Sequence, residues 1–109
     1  MINEADNKVT VTDKNGRMFK IRKLLPLDRM RIFEALGSDL SENMQYLAYA
    51  SLAASVVEVD TVNYGFPHNK KSIELMVQIL SDDGIEAVAM GYRDNFAAGE
   101  SGDMDKIKN

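Results

Sequence analysis

The chain has 109 residues, with 13 Lys/Arg against 17 Asp/Glu, a formal net charge of −4 and 45% hydrophobic residues. This composition fits one soluble globular domain with a modest core rather than a disordered chain. There is no cysteine, which rules out a disulfide framework and thiolate chemistry, and the single histidine leaves no partner for a transition-metal site.

The charge is unevenly placed. Residues 1–31 hold eight Lys/Arg and four acids, a net of +4, whereas 32–109 hold five bases and thirteen acids, a net of −8. Opposite fields on different surfaces follow from such a split.

The opening "MINEADNKVT" has neither the basic start nor the apolar run of a signal peptide. "KVTVTDKNGRMFKIRKL" then reads as a β-hairpin over 8–24. Val9 and Val11 alternate with threonines, Asn15-Gly16 supplies a turn with positive φ, and Phe19 and Ile21 alternate with Lys20 and Arg22. Pro26 suits a first helical turn and Asp28 favours the positive end of the helix dipole. Leu27, Met30, Phe33 and Leu36 give a first helix over 26–36, with Gly37 as its stop.

A second helix over 40–57, opened by Asp39 and Glu42 in capping-box spacing, contains "MQYLAYASLAASVV", a stretch without a single charge. It is too short and too rich in Ala, Ser and Tyr to cross a bilayer, which takes about 20 apolar residues. Its apolar stripes, Leu40–Met44–Leu47 and Tyr49–Leu52–Val56, cover most of the circumference, so the expectation is a central core helix. After it, Val57 and Val59 alternate with Glu58 and Asp60, and Gly65 and Pro67 break any helix, giving a second short hairpin or an ordered loop. Asn69 caps a third helix over 70–80, with Ile73, Met76, Val77 and Leu80 inward. Ser81 or Asp82 caps a fourth over 83–97, with Ile85, Val88, Ala89, Tyr92 and Phe96 on one face. From Gly99 the sequence is polar and aperiodic, the pattern of a flexible tail. The expected architecture is α+β and mainly α: about four helices behind an N-terminal hairpin, in one domain spanning 1–98 with a helical body over 26–97.

Little in this sequence is equipped for chemistry. His68 lies alone in a loop, Asp82-Asp83 lack the spaced oxygen ligands of a calcium loop, and no glycine run cradles a phosphate. The serines sit in no nucleophile-elbow context. Glu58 and Asp60 share one strand face, a common arrangement of solvated carboxylates. The reading is a non-enzyme with no metal and no cofactor. Nucleic acid is an unfavoured partner: Arg17, Lys20 and Arg22 form a basic hairpin, yet the chain is acidic overall and Phe19 turns to the core. Met30, Met44 and Met76 lie on apolar stripes and are expected in the core. Met90 lies off the Ile85–Val88–Tyr92 face, which makes it a candidate contact for a partner together with Arg17, Lys20 and Arg22.

The order of features is similar to a family. "GRMFKIRKLLPLDRMRIFEALG", then "YLAYASLAASVVEVD", then "FPHNKKSIELMVQIL" and "DDGIEAVA" resemble, across residues 16–90, the small tail assembly chaperones of long-tailed bacteriophages. Where an Asp-Gly type of turn is expected after the central helix, this chain has Val59-Asp60-Thr61-Val62-Asn63. The resemblance implies a mainly helical, self-associating protein that binds the tape-measure protein. It would keep that long client soluble in the cytoplasm of the bacterial host until tail-tube subunits polymerise, and be absent from the finished virion. It also implies that a frameshifted longer product would extend from the tail after Gly99. The charge split suggests head-to-tail association, the basic hairpin of one subunit meeting the acidic body of the next, as a ring or filament. A head–tail connector subunit and a small DNA-binding regulator are the alternatives.

Overall fold

The computed structural model describes residues 8–97. The tail expected from Gly99 lies outside the described residues. The element order is β1 (Lys8–Thr12), β2 (Met18–Arg22), α1 (Pro26–Ser41), α2 (Met44–Ser55), β3 (Val56–Val59), β4 (Val62–Asn63) and α3 (Lys70–Tyr92), followed by a π-helical turn (Arg93–Ala97). The strands form one antiparallel sheet in the order β1-β2-β3-β4. The expectation of about four helices with two hairpins is therefore corrected to three α-helices and a single four-stranded sheet.

Two physical causes underlie that correction. Beyond α2, Val56 and Val59 are buried and the β3 backbone pairs with β2, with Phe19 opposite Val59 and Lys20 opposite Glu58. The pairing then shifts so that Ile21 meets Val56, leaving Val57 as the extra residue of a β-bulge. Sequence patterning marks strands but carries no direct sign of a partner so distant in the chain. The other cause is Ser81. Its backbone (φ 58°, ψ −174°) interrupts α3 without ending it, so the expected third and fourth helices are two arms of one bent element.

The remaining boundaries move for local reasons. α1 runs to Ser41 rather than ending at 36, because the chain resumes helical turns after Gly37 (φ 82°, ψ 168°). α2 starts at Met44 because Asn43, not Asp39, accepts a hydrogen bond from the Tyr46 N–H at 2.9 Å. The β3–β4 turn consists of Asp60 and Thr61, which both have positive φ (47° and 74°), the signature of a type I′ hairpin. Asp60-Thr61 thus adopts the geometry that an Asp-Gly pair adopts with less strain.

The core lies between the inner sheet face and the helices. Phe19, Ile21, Val56, Ile32, Ile73, Leu80 and Val88 are fully enclosed. The helix α2 packs inward through small residues (Ala50, Ala53, Ala54 and Ser55), while Met44, Ala48 and Tyr49 are exposed, so α2 is covered on one side only. Of the methionines expected in the core, Met76 is buried, but Met30 (64% exposed) and Met44 (81%) are on the surface. The second arm of α3 rides close on the sheet. A Cβ at Gly91 would stand 2.3 Å from Val11 Cγ1, and one at Gly84 3.2 Å from Phe19 Cζ.

Candidate protein interface

The helix α1 is fixed at its start by the strand before it. Arg22, the last residue of β2, holds Asp28 through two bonds of 3.0 Å, and the same carboxylate accepts the Leu25 N–H at 2.9 Å. Burial tends to raise the Asp28 carboxyl, but these bonds and the nearby Arg22 and Arg31 charges outweigh it and hold it below its ordinary value. With that end anchored, Ile32 and Leu36 turn into the core. Leu27 (55% exposed), Met30 and Phe33 (45%) then fall on the open side of the helix. The apolar stripe that periodicity assigns to the interior is thus mostly outside, and Ile32 takes the inward position.

Between α1 and α2 lies an apolar groove of about 360 Å³, at the small end of the usual range for ligand pockets. Phe33 and Ile32 form one wall and Leu47, Ala48, Ser51 and Leu52 the other, with Leu24 and Tyr92 completing the lining. Arg29 is the one charged residue that lines it. The Tyr92 hydroxyl accepts the Leu24 N–H at 3.0 Å, and its ring meets Phe96 edge-on, centroids 5.0 Å apart. On the far side, α2 is tied to α3 by the Tyr46 hydroxyl, which donates to the Glu74 carboxylate. Burial, that bond and the Glu74 charge push the Tyr46 phenol up to about 12, so it stays a donor throughout the physiological range. Both groove walls are therefore held in place by polar contacts outside the groove itself.

The residues singled out from the sequence fall elsewhere. Arg17 has the parity of Phe19 and Ile21 and lies on the helix-facing side of the hairpin, not with Lys20 and Arg22. Its guanidinium donates to the Ile79 and Leu80 carbonyls (2.8 and 2.6 Å) and to the Asp13 carboxylate (2.9 Å), and stacks over Phe19. It thereby satisfies the carbonyls freed where Ser81 interrupts α3. Burial raises the Asp13 carboxyl, but the Arg17 N–H and guanidinium and the Asn15 N–H together hold it below its usual value. Lys20 pairs with Glu58 at 3.6 Å, and Arg22 spans Asp28 and the Phe66 ring. Met90 is half exposed on α3 and does not line the groove. His68 sits on the wall of a smaller cleft of about 180 Å³. Asp83 is tied to the hairpin by Lys14 and Asn15. Among the described residues no three His, Cys, Asp or Glu side chains gather as a metal site. Within the same residues no helix is long and apolar enough to cross a membrane.

Sequence reasoning missed Arg29, Phe33, Leu47 and Tyr92 as a group. One signal was available: α2 carries no charge on any face, more apolar circumference than a three-helix protein of this size encloses. No family model, curated protein or solved structure matches the chain.

Proposed function

We propose that this chain is a non-enzymatic tail assembly chaperone of a long-tailed bacteriophage, which binds the tape-measure protein and keeps it soluble during tail morphogenesis. The observation that supports this reading is the α1–α2 groove, an apolar channel with half-exposed Phe33 on one wall. A groove between two helices receives the apolar face of a third. A client that is long, helical and rich in apolar stripes suits such a site. The similarity of residues 16–90 to that family supplies the identity of the client.

Self-association belongs to the same reading, with the basic hairpin of one subunit against the acidic body of the next. Lys20 is the side chain with which to test it, because its ion pair with Glu58 lies on the outer sheet face. Replacing Arg17 removes a helix cap and so conflates docking with folding. Lys20→Glu is expected to reduce the mass seen in light scattering.

The deciding experiment is co-expression with the tape-measure protein of the same phage, followed by affinity capture. The wild-type chain is expected to retain the long protein and hold it in the soluble fraction. Phe33→Asp, at a half-exposed position on the groove wall, is expected to fold normally and to lose the client. Wild-type chain that retains nothing overturns the proposal, and recovery of the chain from purified particles favours a structural virion subunit instead.

A further inference from the structure

The groove is apolar on every wall but carries one cation at its rim. Arg29 is exposed on α1, and α2 contributes no charge from Met44 to Ser55. Among the described residues Arg29 makes no ion pair: Asp28, its neighbour in sequence, is engaged by Arg22 through both oxygens. In the free protein water solvates the guanidinium. A helix laid in the groove displaces part of that water, which costs free energy unless an anion replaces it. A purely apolar or basic helix leaves this cost uncompensated; one with a carboxylate at the rim offsets it and gains a charge-assisted hydrogen bond.

From this geometry we infer that the groove selects an amphipathic helix of the client with a defined charge pattern. Two large apolar side chains at i and i+4 enter the groove between Phe33 and Leu47, and an Asp or Glu within one turn of them pairs with Arg29. The inference rests on the reading that the chain binds a helical client, and adds which of that client's many helices it takes. A second copy of this chain is a poorer occupant. A two-fold contact over the groove brings the same patch from both subunits together, and that patch holds Arg29 but no carboxylate among its lining residues to pair with it.

The test uses the intact chain and overlapping helix-length peptides covering the tape-measure protein. Captured peptides are expected to carry an acid within one turn of the apolar pair. Arg29→Glu is expected to weaken their binding on the order of tenfold, Arg29→Lys less, since lysine keeps the charge but not the fork. A peptide with its acid changed to Lys should bind the Arg29→Glu chain better than the wild type. Unchanged urea midpoints in both variants establish that folding is not the cause. Captured peptides without such an acid, or equal binding to Arg29→Glu, overturn the inference. If Phe33→Asp still abolishes capture in that case, the chaperone reading stands. A wild-type chain that captures no peptide and no full-length client overturns both. Loss of oligomers in Arg29→Glu with unchanged peptide binding assigns the groove to self-association and overturns the inference alone.

Discussion

Gly91 tests the placement of α3 on the sheet, because two well-calibrated effects of opposite sign meet there. In a helix, Gly→Ala normally stabilises by about 1 kcal/mol. At Gly91 the added Cβ would lie 2.3 Å from Val11 Cγ1 and 3.2 Å from Val11 Cβ. Carbon atoms in contact prefer about 3.5–4.0 Å, so α3 and β1 must separate by more than an ångström or Val11 must leave its rotamer. Overpacking of this kind costs about 1–3 kcal/mol and occasionally more. The clash is with a β-branched side chain on a strand, which has little freedom to yield, so the upper part of that range applies and overcomes the helix term. The net expectation for Gly91→Ala is a loss of about 1–2 kcal/mol, read as a lower urea midpoint followed by circular dichroism. The decisive comparison is the Val11→Ala background. With the valine methyls gone the same substitution should turn neutral or stabilising, a sign inversion that propensity alone does not produce. Gly91→Ala stabilising the wild-type chain would refute the close approach of helix and strand.

Other expectations follow from the same contacts. Arg17→Met removes two charge-assisted bonds to helix carbonyls from a side chain that is 30% exposed. Allowing for that exposure, it should cost about 2–4 kcal/mol in urea denaturation; a loss under about 0.5 kcal/mol, typical of a solvated charge, would contradict the cap. Thr61→Gly, at φ 74°, should stabilise by roughly 0.5–1 kcal/mol, the relief of left-handed strain exceeding glycine's extra unfolded-state entropy; a lower melting temperature would refute the turn assignment. Asp13 and Asp28 are both held below the ordinary value of 3.8. Their stabilisation is therefore complete above the unfolded pKa and lost as pH falls through the folded one, so unfolding midpoints should drop below about pH 4. Asp28→Asn should lower stability at neutral pH and flatten that acid limb; a wild-type chain that grows more stable on acidification would show the sign to be wrong.

What was legible in the sequence was local. The Asn15-Gly16 turn with its flanking alternation, Pro26 at a helix start and Asn69 as a cap all rest on contacts within a few residues, and β1, β2 and the starts of α1 and α3 lie where those signals put them. The pairing of β2 with β3 was not legible, because its determinant is the fit of Val56 and Val59 against Phe19 and Ile21 across the domain. The break at 81 leaves a mark in the sequence, where Ser81 has the pattern of a terminus. Arg17, reaching across from the hairpin turn to the Ile79 and Leu80 carbonyls, caps the first arm at the bend. For the site, period alone placed Leu27, Met30 and Phe33 inward. A helix has two apolar margins beside its buried stripe, and only the position of α2 decides which margin becomes a groove wall. Charge alone groups Arg17 with Lys20 and Arg22, whereas strand parity separates them, because odd and even residues of a strand face opposite sides.

The pairing of β2 with β3 also sets the order in which the molecule can assemble. The 33 residues from Lys23 to Ser55, containing all of α1 and α2, separate the two strands. Closing a flexible loop of that length costs about 3 kcal/mol beyond a constant, and the ladder repays it only after closure. The two helices contract that distance if they form first, so contacts between α1 and α2 should weigh on the folding rate and the β3–β4 hairpin mainly on the unfolding rate. During synthesis, Phe19 and Ile21 and the open edge of β2 wait without a partner until β3 leaves the ribosome. The nascent chain therefore passes through a stage at which its own apolar strand is the surface most in need of shelter.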